Sequence, residues 1–481
     1  MADEQITTED LRPVDEAGRP DDRTDDERHD EENRLKPAYV RSVTEALEAG
    51  DKGRAYDLVE PLHPADVADL FELLPADDRP LLAAAITDLL SGDVIAELND
   101  HVREDMIEAL GPEAVAEIAE QLDTDDAVQL IEDMEPADQA AVLAEMEPED
   151  RAAIESALAY PEETAGRLMS REFVAVPEHL TVGDLIDYLR EANAGQLPTE
   201  FWEVFVVDPA HKPVGTCLLS WVLRTPRAVA LSDVMKRDQT LIPVTMDQEE
   251  VGNMFQKYAL ISAAVVDENG RLVGQMTVDD VVHIISEEAG EDVLLLSGAG
   301  DGDINEPIRE AYSARVRWLV ANLATASVAS FVISRFESVI ATMVALAVLM
   351  PIVAGIGGNA GTQTLAVTVR ALATNQLTSS NAWRAVRREV SIALLNGVSV
   401  AVVIGIAVTL IFGHPQLGLV IGLAMMTNIL IAGVAGVLVP LTLDRLGADP
   451  AISSSIFVTM TTDSMGFLVF LGLAVASGLT G

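Results

Sequence analysis

The chain has 481 residues, 49% of them hydrophobic, and a formal net charge of −47 at pH 7, and it is too long for one domain of ordinary size. From Arg315 onward five acidic and eight basic residues give +3, so residues 1–314 carry −50. So acidic a surface repels phosphates, which excludes nucleic acid as a partner, and the single cysteine, Cys217, excludes an intrachain disulfide bond.

The acid excess has a general explanation that requires no ligand. Only five lysines occur in the chain, and Asp/Glu-rich, Lys-poor surfaces suit a cytoplasm with molar salt, where the Debye length falls to ~3 Å. On this interpretation the protein is halophilic and most single carboxylates are solvated surface. Residues 1–35 are a polar acidic run, which predicts a disordered tail.

Residues 36–165 predict a helical domain. Short apolar stretches are separated by a proline–acid signal, at 64–66, 75–77, 136–138 and 148–150. Proline suits the first helical turn, where its missing N–H costs nothing, and a nearby acid complements the helix dipole. We therefore expect a superhelical stack of short helices, without a catalytic constellation.

Alternating, strand-like runs begin near Phe173. They lie at 173–176, 203–208, 213–219 and 262–277, and the last run predicts a hairpin with a turn at Asn269-Gly270. With the amphipathic segments between them, they give a β–α–β–β–α order twice, which is an internal repeat.

This repeat resembles a tandem pair of CBS domains, at 166–230 and 231–285, a module that usually senses adenine nucleotides or ions. The resemblance implies that Thr277 and Asp280 of the second copy hold the ribose of ATP or another adenine nucleotide. The first copy has Leu218 and Trp221 at the matching places and lacks this pair. A carboxylate-dense helix with a Gly/Asp-rich hinge follows, at 278–303.

Five apolar stretches complete the chain. A helix needs ~20 apolar residues to cross the hydrocarbon core. Four stretches meet this length, and the second, which runs into glycine-rich sequence, predicts a broken or kinked helix. The stretches lie at about 316–334, 339–356, 390–412, 418–441 and 452–479.

The distribution of arginine predicts the orientation of these helices. With the N-terminus inside, seven arginines of this region fall on the cytoplasmic side and only Arg335 falls outside. We therefore expect a multi-pass protein of the cell membrane, in contact with its lipids, with cytoplasmic N-terminal domains and an extracellular C-terminus.

The segment 351–364, PIVAGIGGNAGTQT, is rich in oxygen atoms. One proline and four glycines disfavour a continuous helix, and freed carbonyls with the polar side chains would form a wall suited to a hard, hydrated cation. Close helix packing through small residues is the alternative explanation.

Asp463 is the one acidic residue well inside a predicted membrane helix. Such a residue is costly unless it faces a partner or a wet cavity. The alternative is a structural hydrogen bond to Thr461 or Thr462. Because the apolar stretches contain no basic residue beyond Arg317 at the start of the first one, a cation from solution is the expected partner.

Together these features resemble the MgtE family of Mg2+ channels. The similarity covers the chain from about residue 36 onward and includes three signature regions, at 160–169, at 351–364 and around Asp463. It implies an all-α membrane domain of five transmembrane helices, residues 315–481, preceded by a cytoplasmic α-superhelical N domain and α/β tandem CBS domains.

The resemblance also implies a homodimer with one pore on its twofold axis. Asp463 of both subunits would hold hydrated Mg2+, helped by the backbone carbonyl near Thr459. The inner part of the path would be lined by Asn359 with Gly357 and Gly358. The external mouth would be formed by Glu337. Acidic Mg2+-sensing positions of the connecting or plug helix would be Asp279, Asp280, Glu288, Glu291 and Asp292.

Two positions depart from the family pattern. His283 stands where the family often has a further acid on the plug helix, which weakens one sensor ligand. Ser455 stands where asparagine often precedes the pore aspartate by eight residues, which alters an inner pore contact.

The expected function is import of Mg2+ by a selective channel that high cytoplasmic Mg2+ closes, without enzymatic activity. An ion-coupled carrier for Mg2+, Mn2+ or Co2+ is the alternative. A membrane-anchored receptor or enzyme is a further alternative, although we find no nucleophile–base pair or phosphate loop.

Overall fold

The computed structural model describes residues 28–132, 134–192, 197–198, 201–298, 302, 304–378 and 380–479. It forms two compact units. The first contains the described residues up to Thr245 together with Ala264–Gln275, and the second contains Met246–Ala263 and the described residues from Met276 onward. Most of the predicted tail, residues 1–27, lies outside the described residues, as do 299–301 and 303 of the predicted hinge.

The end of the predicted tail is folded rather than disordered. His29 and Leu35 form a β-bridge, and Leu35 is buried in the core of the helices that follow. The His29 Nε2 atom lies 3.2 Å from the Asp66 carboxylate. The folded chain therefore starts before the first helix.

Short helices form the first part of this unit, as the proline–acid signals predict. Helices begin at Pro64, Pro136 and Pro148. The prediction at Pro75 was wrong, because residues 75–78 form a turn and the helix begins at Arg79. The helices are α1 (Pro37–Glu48), α2 (Lys52–Val59), α3 (Pro64–Leu73), α4 (Arg79–Ala83), α5 (Gly92–Ala96), α6 (Asp100–Leu110), α7 (Pro112–Ala119), α8 (Thr124–Glu132), α9 (Pro136–Glu145), α10 (Pro148–Leu158) and α11 (Ala165–Leu168).

One continuous apolar core holds these helices together. Leu70, Phe71, Leu82 and Ile131 are fully buried in it. Burying a side chain of this size stabilises the fold by about 1.5–3 kcal/mol. Short helices are marginal by themselves, so this shared core rather than helix propensity maintains them.

Two three-stranded sheets follow with the same strand order. In each, the first strand runs parallel to the second, with Ala175 opposite Phe205 and Leu241 opposite Ala264. The predicted internal repeat is therefore present in three dimensions. The elements are β1 (Ala175–Pro177), α12 (Val182–Glu191), β2 (Glu203–Val207), β3 (Pro213–Leu218), α13 (Leu219–Val222), α14 (Leu231–Val234), β4 (Leu241–Pro243), α15 (Gln248–Tyr258), β5 (Ser262–Val266) and β6 (Leu272–Thr277).

The second unit contains α15 and a series of long helices. In the part of the chain that the structure describes, five helices are long and apolar enough to cross a membrane, as predicted. They are α17, α19, α20, α21 and α22. The bounds are α16 (Val278–Ser297), α17 (Ile308–Ser334), α18 (Glu337–Thr342), α19 (Ala345–Ala373), α20 (Ala382–Phe412), α21 (Pro415–Arg445) and α22 (Pro450–Ala476).

Helix α19 corrects the prediction of a broken helix, because it is continuous through Pro351 and the glycines. Gly357 and Gly361 are buried against α21 and α22, where an added side-chain carbon would collide with Asn428 and Val458 respectively. Tertiary packing therefore overrides the low helix propensity of glycine. The alternative explanation, close packing through small residues, holds at these two positions.

Candidate functional site

Asp463 lies in the middle of α22 and is half-buried. Ser455, Thr459 and Asp463 are four residues apart, so they share one face of the helix. Thr461 and Thr462 do not hold the carboxylate, because they donate to the carbonyls of Phe457 and Thr459 at 2.8 and 3.1 Å. The Thr459 carbonyl, which was expected to help hold the ion, therefore already accepts a hydrogen bond from the Thr462 hydroxyl.

Helix α19, which packs beside α22, presents a polar face. Asn359, Thr362 and Gln363 are exposed, Gly358 is half-buried and Gly357 is buried. A carbonyl wall of the kind predicted does not form, because residues 351–364 stay within one continuous helix. The polar side chains rather than freed carbonyls are therefore what α19 offers to an ion.

Glu337 is the first residue of α18 and is exposed. It precedes the N-terminal end of α19, whereas Leu365 and Val369 near the other end of α19 share a core cluster with Leu295 and Leu296 of α16. Glu337 and the acidic helix α16 are consequently associated with opposite ends of α19.

A buried acid, Glu389, lies near the start of α20, just before the predicted membrane stretch. Helix α20 begins at Ala382, eight residues before the predicted stretch, so it includes Glu389. Glu389 is 7% exposed, lies 2.5 Å from the Arg388 guanidinium and accepts a 3.4 Å hydrogen bond from Thr364. Arg388 and Thr364 thus satisfy the Glu389 carboxylate, whereas no partner among the described residues engages the Asp463 carboxylate.

Helix α16 approaches the membrane helices from its C-terminal half. Leu295 and Leu296 pack with Val458 of α22 in the cluster just described. The helix ends at Ser297 and is capped by Gly298 in the left-handed region, φ +67°, where a side chain would collide with Trp318. Its end is thus fixed against α17, next to the helix that carries Asp463.

An acidic cleft of about 450 Å³ lies between α15, α16 and the ends of α19, α21 and α22. Burial, followed by repulsion from nearby acids, chiefly Glu288 and Asp292, raises the pKa of Glu249 to about 7. Burial and then Asp449 raise the pKa of Asp292. The acids lining the cleft are Asp247, Glu249, Glu250, Asp292, Asp444 and Asp449.

The structure brings together only some of the predicted sensor residues. Asp292 lines the cleft, and Glu288 lines an adjoining cavity of about 440 Å³ and accepts a 2.6 Å hydrogen bond from Gln248. Asp279 and Glu291 are exposed and line neither cavity. His283 is likewise exposed.

Asp280 is used by its own helix. Its carboxylate accepts hydrogen bonds from the hydroxyl and backbone N–H of Thr277, as in a capping box at the start of α16. Burial is the main cause that raises its pKa. Thr277 and Asp280, the pair predicted to hold a ribose, are therefore both present but hydrogen-bonded to each other.

Sequence reasoning missed five acids of the cleft, at 247, 249, 250, 444 and 449. Asp247 and Asp449 cap the N-termini of α15 and α22 by accepting from backbone N–H groups at 3.0 and 2.7 Å. The sequence pattern of a helix start was visible at both residues, but nothing in the neighbouring sequence indicated that they lie in one cleft. Among the described residues, no three acidic, histidine or cysteine side chains converge closely enough to hold a bare metal ion.

Comparison with protein families gives three matches. A family model described as divalent cation transporter, MgtE, matches residues 350–473. The MgtE intracellular N domain matches residues 62–163, and a CBS domain matches residues 231–287.

Curated relatives match most of the chain. The magnesium transporter MgtE of Thermus thermophilus is 32% identical over 440 residues, 90% of this chain and 97% of the relative. The magnesium transporter MgtE of Enterococcus faecalis is 32% identical over 321 residues, 67% of this chain and 70% of the relative.

One solved structure is similar to about half of the chain. A crystal structure of the cytosolic domain of the Mg2+ channel MgtE in complex with ATP is 29% identical, with a TM-score of 0.46, and covers 51% of this chain and 99% of that one. Since the Thermus thermophilus relative is matched over nearly its whole length, this chain belongs to the MgtE family.

Proposed function

We propose that this chain is a Mg2+ channel of the cell membrane that imports Mg2+ and closes when cytoplasmic Mg2+ is high. The observation that carries the proposal is Asp463, a half-buried carboxylate in an apolar helix that no partner engages among the described residues. A carboxylate at membrane depth is costly unless a cation or a wet cavity faces it. Family membership and the names of the relatives support Mg2+ as that cation.

Selectivity follows from weak, oxygen-only binding. Mg2+ dehydrates reluctantly, so a site with few carboxylates and room for water suits it. Ser455, Thr459 and Asp463 offer oxygen atoms on one face of α22, with Asn359 on the exposed face of the neighbouring helix. Glu337 stands at the other end as an external mouth.

A homodimer completes the pore. In a single chain the exposed amides of Asn359 and Gln363 would face lipid beside the Thr362 hydroxyl, which donates to the Gly358 carbonyl. Exposed amide groups are costly in the hydrocarbon region. A second copy across a twofold axis would cover this face and bring two Asp463 carboxylates together. Two negative charges match one divalent cation and disfavour monovalent ones.

The acidic cleft supplies the closing mechanism. Unscreened carboxylates of α15, α16 and the ends of α21 and α22 repel one another. Hydrated Mg2+ in the cleft would offset this repulsion and hold α16 against α19 and α22. Because an ion that binds one state shifts the equilibrium toward it, high internal Mg2+ favours the closed state.

This mechanism places the N-terminal domains in the cytoplasm and the C-terminus outside. The arginines near the ends of the membrane helices support that orientation. Arg370 and Arg384 flank the loop between α19 and α20, and Arg445 ends α21, and arginine-rich loops stay in the cytoplasm. An adenine nucleotide at the second CBS repeat is an additional proposal: Thr277 and Asp280 are both present there, and the ribose would replace the hydrogen bonds that now join them.

Flux measurements on the full-length protein test the transport proposal. Purified protein in liposomes should admit Mg2+ down its gradient, and internal Mg2+ at millimolar levels should suppress that flux. Single-channel currents would support a channel, whereas saturable flux coupled to a second ion would favour the carrier. Folded protein without Mg2+ flux at low internal Mg2+ would refute both.

A double substitution tests the cleft as the sensor. Glu249→Gln with Asp292→Asn should raise the internal Mg2+ concentration for half-inhibition by about tenfold, because two of the charges that Mg2+ offsets are removed. Glu268→Gln with Glu287→Gln removes the same charge from exposed acids outside the cleft and serves as the control. An equal shift in both doubles would indicate an effect of net charge alone.

A further inference from the structure

Asn428 lies in the middle of α21 and is completely buried. Its Nδ2 atom donates a 3.1 Å hydrogen bond to the backbone carbonyl of Val353 in α19. Because a carbonyl can only accept, this bond fixes which end of the amide points to α19. One side chain of α21 thereby holds the backbone of α19 beside its proline.

The Oδ1 atom of Asn428 has a different situation. It is buried, and among the residues that the structure describes no donor reaches it. A buried acceptor without a donor costs free energy that an apolar side chain of the same shape would avoid. Asn428 is therefore a poor choice for stability alone, and an unsatisfied buried group of this kind calls for a functional explanation.

Two glycines on two different helices make room for this amide. A side-chain carbon at Gly357 of α19 would collide with Nδ2. One at Gly466 of α22 would lie 2.6 Å from Nδ2, closer than a side-chain carbon approaches another atom, and 3.0 Å from Oδ1, which is a tight contact. The amide of Asn428 thus occupies a slot between α19 and α22 that is open because Gly357 and Gly466 have no side-chain carbon.

The slot adjoins the proposed pore residues on both helices. Gly357 precedes Asn359 by two residues, and Gly466 follows Asp463 by three, which is about one helical turn. If the Asn428 amide lay deeper or less deep between α19 and α22, Asn359 and Asp463 would therefore move relative to each other. We propose that Asn428 is a positioning residue that sets the distance between the pore faces of α19 and α22, and through it the preference for Mg2+ over monovalent cations.

This inference rests on the proposed Mg2+ flux, and its test separates the two. Asn428→Leu keeps the branched shape but removes the bond to Val353 and the unsatisfied oxygen. Its thermal midpoint in detergent should equal or exceed that of the wild type, while the ratio of Mg2+ to Na+ flux in liposomes falls by roughly tenfold, the factor expected for one buried hydrogen bond. Asn396→Leu, an exposed asparagine of α20, should leave the ratio unchanged.

Asn428→Asp gives a second, independent readout. A neutral acid can donate to Val353 but a carboxylate cannot, so selectivity should approach the wild-type ratio at pH 6 and decline toward pH 9. Wild type and Asn428→Leu, measured in parallel, should lack this decline. The Asn428→Asp variant also keeps the test valid if Asn428→Leu fails to fold.

A wild-type flux ratio in Asn428→Leu, or the same loss in Asn396→Leu, would overturn the positioning role. So would a selectivity of Asn428→Asp that is independent of pH. Each of these outcomes leaves wild-type Mg2+ flux intact, whereas absence of flux in the wild type itself contradicts the proposed function.

Discussion

At the scale of single residues, Glu389 of α20 and Asp463 of α22 have opposite environments. Glu389 is buried but satisfied by Arg388 and Thr364. Removing one partner of such a buried pair is destabilising, since the other charge is left uncompensated. Asp463 has no such partner among the described residues, so its charge is available to an ion.

Asp463→Asn should abolish Mg2+ conduction and leave the protein folded. The amide keeps the shape but removes the charge that compensates a dication for leaving bulk water. Because an unpaired carboxylate is costly in low dielectric, the thermal midpoint should stay constant or rise. Liposome flux and a detergent melting curve measure the two effects. Wild-type Mg2+ flux and selectivity in this variant would exclude Asp463 as the selectivity site and redirect attention to Asn359.

At the scale of elements, the contact between α15, α16 and the membrane helices depends on ionisation. The pKa of Glu249 is raised from 4.5 to about 7, so the folded cleft favours the protonated form. Its favourable contribution is present at low pH and is lost as pH rises from about 4.5 through 7. Glu249 is exposed along part of its surface, and solvent screening weakens the effect.

The stabilisation that Mg2+ confers should therefore be larger at pH 8 than at pH 6. At pH 8 Glu249 is ionised and its repulsion from Asp292 and Glu288 is strongest, so the cation offsets more. Glu249→Gln should make the rise of the thermal midpoint with Mg2+ nearly independent of pH in this range. Glu287→Gln should behave like the wild type. Equal Mg2+ effects at both pH values in the wild type would show that Glu249 does not titrate in the cleft.

At the scale of the whole molecule, charge separates the chain into two parts. Residues 1–314 carry −50 and the remainder +3. Repulsion within the acidic part opposes its compact state unless salt or bound ions screen it. A salt-adapted source for the protein is therefore a prediction about stability as well as composition.

Lowering KCl from molar to ~0.1 M, where the Debye length grows to ~10 Å, should reduce the helical circular dichroism of the full-length protein. Millimolar Mg2+ should restore much of the loss, because it neutralises the acids at lower ionic strength than K+ does. Millimolar NaCl is the control for ionic strength. A spectrum that ignores both salts would show that the acids neither strain the fold nor bind ions.

Local patterns in the sequence determined much of this protein. Hydropathy is additive along a segment, so the five membrane helices and the position of Asp463 could be predicted without tertiary information. The same holds for the strand repeat, the Asn269-Gly270 turn and most proline-initiated helices, because turn and cap chemistry acts over a few residues.

Only the tertiary structure decided which of these residues meet. Glu249, Asp292 and Asp449 belong to three elements far apart in sequence, and no local signal joins them in one cleft. Likewise, the glycines of α19 predict a break, yet packing against Asn428 keeps the helix continuous. Contacts between distant elements depend on shape and burial across the whole fold, and periodicity along one segment carries no information about them.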